Sequence, residues 1–172
     1  MKNNMKFVVI TKSDLRFIPP VISVSYILKD LGHNVHVITS GASDSIIEQM
    51  RQRNITMDIY PYATATHILG KIWEYLRFRK LVKQRLEELS FDYLWIEGAT
   101  TMRSLGSFIK KYLYILQISE LHDNSRAQLK TIGKVIHQAK LVFMPEYNRT
   151  VFYQSPDLEH VWEQNECHSD DI

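Results

Sequence analysis

With 172 residues, 45% of them hydrophobic and 23% charged, the chain has the composition of one folded domain, not of a disordered or membrane-embedded one. Its single cysteine, Cys167, excludes an intrachain disulfide framework and suits a reducing compartment. The net charge of +2 divides unevenly: residues 155–172 hold six acidic side chains and no basic one, which leaves 13 acidic against 21 basic groups, or +8, on residues 1–154.

A basic body suits anionic partners, without choosing among phosphates, nucleotides and lipid head groups. The first six residues lack the apolar core of a signal peptide, and the apolar run at 7–10 is far too short to span a bilayer. The expected address is therefore the cytoplasm. On that address the sequons Asn54-Ile55-Thr56 and Asn148-Arg149-Thr150 are chance matches.

In chain order, the β-branched run at 6–11 reads as a buried strand. After Pro19-Pro20, apolar residues at Val21, Val24, Ile27, Leu28 and Leu31 keep helical spacing, and Gly32 reads as the C-terminal stop. A second strand follows at 35–39 and a loop at 40–43. Asp44 is placed to cap a helix carrying Ile46, Ile47 and Met50. Residues 55–60 read as a third strand stopped by Pro61, and 68–89 as a long helix. Residues 93–96 form a fourth strand, 102–110 a helix, 112–118 a fifth strand, 125–138 a helix and 141–144 a last strand before Pro145. Strands and helices alternate, and the strands are continuous apolar runs. The expected fold is α/β: a single Rossmann-like, doubly wound, mainly parallel sheet over residues 1–154, followed by an acidic tail or truncated linker at 155–172.

Ligands of such sheets bind beyond the carboxyl ends of the strands. The candidate loops are therefore those at 12–19, 40–43, 61–67, 97–101, 119–124 and 146–149. The first has no glycine, so the dinucleotide fingerprint is missing, and no P-loop motif occurs anywhere. Lys12, Ser13 and Arg16 in that loop are candidates to meet a phosphate or acceptor, although exposed cations are more often plain surface charges. Glu97, Gly98, Thr100 and Thr101 form a small polar loop that admits a substrate to the backbone; equally, Thr100 or Thr101 caps the next helix.

Ser119-Glu120-Leu121-His122-Asp123 is the densest polar cluster after a buried strand. His122 can bond a sugar hydroxyl or a phosphate, with Glu120 or Asp123 orienting it or acting as a base. The plainer reading is that Asp123 or Asn124 caps the following helix. A Ser–His–Asp triad is disfavoured by the sequence proximity of its members and by the missing G-x-S-x-G elbow. His122 and Asp123 have no partner at metal-ligand spacing, so no metal is expected. His33, His36 and His137 read as structural. Across 71–85, Lys71, Arg77, Arg79, Lys80, Lys83 and Arg85 interleave with Trp73, Tyr75, Leu76 and Phe78. Such a helix either lies on an anionic membrane surface or packs on the sheet with its cations in water. No nucleic-acid-binding module is present.

Three runs carry a resemblance: Phe91-Asp92-Tyr93-Leu94-Trp95-Ile96-Glu97, Ile118-Ser119-Glu120-Leu121-His122-Asp123, and Val142-Phe143-Met144-Pro145-Glu146-Tyr147-Asn148-Arg149. With the Gly32-His33-Asn34-Val35 turn, they resemble the N-terminal domain of GT-B glycosyltransferases, most closely the retaining family-4 kind; related epimerases share the fold. The resemblance implies an acceptor-side half that transfers a sugar from a nucleotide-sugar to a glycan or lipid-linked acceptor. It would do so together with a C-terminal donor domain or subunit not contained in these residues, and not alone. It further implies that His122, flanked by Glu120 and Asp123, faces the interdomain cleft, and that Glu146 and Arg149 lie on the path towards the linker. No cofactor is expected to be held tightly; the nucleotide-sugar belongs with the donor half. Many relatives carry a Gly-Gly pair in the first loop, and this chain does not. A non-catalytic binding module or gene remnant, and a sugar-nucleotide epimerase fragment, remain alternative readings. A half of this kind is expected to expose apolar residues near the strand ends for its partner.

Overall fold

The computed structural model describes residues 4–61, 68–119 and 126–144. Within them run β1 (Lys6–Ile10), α1 (Pro19–Asp30), β2 (Asn34–Thr39), α2 (Asp44–Gln52), β3 (Thr56–Ile59), α3 (Ile68–Glu88), β4 (Tyr93–Glu97), α4 (Gly98–Leu105), β5 (Tyr114–Gln117), α5 (Arg126–Val135) and β6 (Leu141–Phe143). The strands form one sheet in the order β3-β2-β1-β4-β5-β6, and every pair is parallel. This is the doubly wound Rossmann-like order, with its reversal between β1 and β4.

The central strands are covered on both faces, which is why they are mostly apolar. Val9, Val35, Val37 and Trp95 pack with Val21 and Leu28 of α1 and Met50 of α2 on one side. Val8, Ile10, Leu94, Ile96 and Leu116 pack with Phe78, Val82 and Leu86 of α3, Met102 and Leu105 of α4, and Ile132 and Val135 of α5 on the other. Tyr114 donates its hydroxyl to the Val135 carbonyl at 2.7 Å, which joins β5 to α5 without leaving a buried polar atom unpaired.

The helix ends follow local chemistry. Gly32, at φ +91°, ends α1; its N–H bonds the Lys29 carbonyl, and the N–H of His33 bonds that of Leu28, the paired bonds of a Schellman stop. Pro19 and Pro20 occupy the first helical positions of α1, where no N–H is needed. Ser43, not Asp44, caps α2, accepting from the Ile46 N–H; Asp44 instead supplies negative charge in the first turn. Helix α4 starts directly at Gly98, four residues before the apolar periodicity places it, and it gives way to a 3-10 turn at Gly106–Lys111. The polar residues Thr100 and Thr101 masked that start; the Thr101 hydroxyl serves the Lys12 N–H outside the helix.

Two ties hold α3 to its neighbours. Arg79 donates from Nε to the Ser104 carbonyl at 2.8 Å, a cation at the C-terminus of α4. A side chain at Gly106 would collide with that guanidinium. Deeper along the sheet, His36 on β2 bonds Thr56 Oγ1 through Nδ1 at 2.7 Å and Asp58 Oδ2 through Nε2 at 2.8 Å; Arg85 of α3 meets the same Asp58 oxygen at 2.6 Å.

Burial holds the His36 imidazole below its ordinary pKa of 6.5, against the opposing pull of Asp58. Between that lowered value and 6.5, the unfolded chain binds more protons than the folded one, so stability rises with pH. We expect stability to be full above about pH 6.5, to fall as the pH drops below it, and to level off under the folded-state value. In His36→Gln this acidic limb flattens, read as the urea midpoint against pH.

Candidate functional site

The reversal between β1 and β4 places two loops side by side at the carboxyl edge, and a set of polar side chains binds them together. The backbone N–H of Lys12, just past β1, donates to Thr101 Oγ1 of α4 at 2.9 Å. Thr11 Oγ1 donates to Glu97 Oε2 at 3.4 Å and accepts from the Ser13 N–H at 3.2 Å. Thr11, Lys12, Glu97 and Thr101 are all buried. Thr101 is therefore not a helix cap: it lies inside α4, as does Thr100, and its hydroxyl reaches across to the first loop. Glu97 stands at the N-cap position of α4 without a side-chain capping bond. Gly98 follows at φ +77°, in open space, where a side chain would strain the backbone. The amides that open α4, a partial positive charge, thus start at the same edge as Glu97.

The first loop is also tied to the tip of β2. Thr39 Oγ1 donates to the Ser13 carbonyl at 2.8 Å, and Leu15 N–H donates to the Gly41 carbonyl at 2.8 Å. Asp14 and Gly41 form a bridge so close that a Cβ at Gly41 would collide with the Asp14 carboxylate. Ser40 lies buried beside them, and its hydroxyl has no hydrogen-bond partner among the described residues.

The cations of the loop take opposite environments. Lys12 is only 5% exposed; its ammonium lies 4.9 Å from the centre of the Tyr75 ring of α3, with the buried carboxylate of Glu74 near enough to act on it. Desolvation lowers its pKa, and Glu74 partly offsets this. Arg103 of α4 approaches the same ring at 5.9 Å, so two cations share one aromatic ring. Arg16, by contrast, is exposed and bonded to Asp14 through Nε and a terminal nitrogen, at 3.1 and 2.8 Å. The solvated surface role fits Arg16 and fails for Lys12. Further along the edge, Gln117 accepts from Trp95 Nε1 at 2.7 Å and donates to Ser119 Oγ at 3.0 Å.

The fold thus brings Lys12, Ser13, Glu97, Gly98, Thr100 and Thr101 to one edge, with Arg16 turned aside towards Asp14. Glu120, His122, Asp123, Glu146 and Arg149 lie outside the described residues, as do the loop at 62–67 and the tail at 155–172. Sequence reasoning missed Thr11, Thr39, Ser40, Glu74, Tyr75, Arg103 and Gln117. One signal was available: Thr11, Thr39 and Gln117 are the polar residues on which apolar strands end, and Glu74 is the lone acid between 68 and 86. Among the described residues, no group of three metal-ligating side chains comes together, and no helix is long and apolar enough to cross a membrane.

No family model and no curated protein matches the chain. Solved structures do. A glycosyltransferase from Rickettsia africae is similar at a TM-score of 0.61 and 11% identity, covering 89% of this chain and 40% of its own. UGT89C1 of Arabidopsis thaliana, complexed with UDP, is similar at 0.63 and 11%, covering 95% and 48%. A putative UDP-N-acetylglucosamine 2-epimerase from Listeria monocytogenes is similar at 0.54 and 12%, covering 85% and 40%. The chain therefore spans less than half the length of each of these proteins. At such identities the likeness is one of fold.

Two substitutions test the joinery of this edge. Thr101→Val keeps the volume but leaves the Lys12 N–H buried and unpaired; a loss of about 1–3 kcal/mol is expected in urea unfolding. Gly41→Ala forces the first loop off β2 and is expected to cost about 1–3 kcal/mol.

Proposed function

We propose that the chain is the acceptor-side half of a GT-B-type glycosyltransferase, the retaining family-4 kind, acting with a C-terminal donor domain. The observation that supports this reading most is the carboxyl edge at the sheet's reversal. There Lys12, Glu97, Gly98, Thr100 and Thr101 converge in a fold shared with glycosyltransferases, one of which is described in complex with UDP.

In this reading the acceptor, a glycan or a lipid-linked phosphate, lies across the edge. Glu97 accepts hydrogen bonds from its hydroxyls, and Ser13, Thr100 and the amides opening α4 position its polar groups. Lys12, sheltered from water, supplies a positive charge close to where an anionic group would sit. Arg16, Glu146 and Arg149 are assigned to acceptor binding as well. His122, with Glu120 and Asp123, is assigned to holding the transferred sugar. In the reaction the bond from the sugar's anomeric carbon to the diphosphate breaks, a bond from that carbon to an acceptor oxygen forms, and the acceptor hydroxyl loses its proton. The groups that neutralise the departing diphosphate belong to the donor half. Phe17, 74% exposed in the first loop, and Phe143 at the end of β6 offer apolar surface to that half. The setting is the cytoplasm, with polysaccharide or glycolipid synthesis as the process served.

A sugar-nucleotide epimerase is the second reading, favoured by the fold likeness to the Listeria protein. The two separate in one assay. The chain is combined with a donor-domain partner, recovered by pull-down or encoded beside it, and supplied with a radiolabelled nucleotide-sugar. Label moving to an acceptor supports transfer; conversion of the free nucleotide-sugar without acceptor supports epimerisation. Under transfer, His122→Ala is expected to lower kcat/KM by about 10²–10⁴-fold. No partner and no transfer would sink the proposal.

A further inference from the structure

The crossover from β3 to β4 sets α3 antiparallel to the strands, so its N-terminus lies at the carboxyl edge. Its 21 residues span about 31 Å, whereas the five of β4 span about 16 Å. The helix is therefore about twice as long as the strand it covers. Glu74, Phe78, Val82 and Leu86 recur at every fourth position as its buried stripe. On the opposite face Leu69, Ile72, Trp73 and Leu76 follow helical spacing, yet they are 80, 50, 62 and 51% exposed. Four large apolar side chains on one exposed stripe are not needed to hold the sheet.

We propose that this stripe docks on an anionic lipid surface. Charge selects the occupant. The same face continues into Lys80 and Lys83, Arg77 flanks it, and all three are exposed. Glu74, the one acid between 68 and 86, points inward. The face thus has an apolar half that enters the acyl boundary and a cationic half that meets anionic head groups, with Trp73 suited to the interface between them. A second copy would set its own cations against these, or bury them against the apolar half. The helix is too charged to cross a bilayer and lies along it. The inference stands on α3 alone and holds whichever reaction the carboxyl edge serves.

Vesicle co-sedimentation of the full chain tests it. Binding to phosphatidylglycerol vesicles is expected, at least ~10-fold stronger than to phosphatidylcholine, with a blue shift in tryptophan emission. Ile72→Ser, Trp73→Ser and Leu76→Ser together are expected to lower the partition coefficient at least ~10-fold at an unchanged melting midpoint, since these side chains face water. Lys80→Gln and Lys83→Gln are each expected to weaken binding about fivefold, as added salt does. The proposal is overturned if the wild-type chain does not sediment with anionic vesicles. It is equally overturned if the triple variant binds as well as the wild type, or if light scattering shows the triple variant turning a dimer into a monomer.

Discussion

Parallel pairing of β1 with both β2 and β4 is the constraint on which the rest depends. A parallel neighbour on each side requires the chain to leave β1 on one face and return for β4 on the other. The loops that follow β1 and β4 then part to opposite faces but begin side by side. The Lys12 N–H to Thr101 hydroxyl bond closes the gap between them, and Thr11 to Glu97 reinforces it. Buried polar groups in that position must be paired with one another, or the backbone that leaves the sheet would carry unsatisfied donors. The pairing is therefore structural first, and it also holds a carboxylate, a cation and a helix start in one fixed arrangement.

The edge is stiff. The first loop bonds to β2 through Thr39, Gly41 and Leu15, and to α4 through Thr101. Its lack of glycine fits this arrangement: Gly41 on the neighbouring loop supplies the close approach instead. A loop held from two sides presents its groups without reorganisation, which favours binding of a defined ligand over adaptation to many.

Helix α3 connects the two surfaces of interest. One turn of it carries Glu74 and Tyr75 towards Lys12, and Trp73 and Leu76 towards water. A lysine buried beneath an aromatic ring and a carboxylate depends on the helix being seated; Arg79 at the end of α4 and Arg85 at Asp58 seat it. Anything that shifts the first turns of α3 therefore acts on the Lys12 environment directly, through packed side chains.

The layered α/β architecture was legible in the sequence because apolar runs of strand length and helical periodicities alternate without interruption, and the strands are buried on both faces. The stop at Gly32 and the proline start of α1 were legible for the same local reason: their backbone demands are met within a few residues. The start of α4 was not, since Thr100 and Thr101 interrupt its apolar pattern, and Thr101 serves a partner far away in sequence. Nor was the contrast between Lys12 and Arg16, four residues apart with the same charge. The sequence by itself determined a basic α/β domain with polar strand ends. Only the tertiary structure decided which of those polar groups meet, because the distance from Lys12 to Tyr75 or Thr101 is set by sheet order and helix seating, not by spacing along the chain.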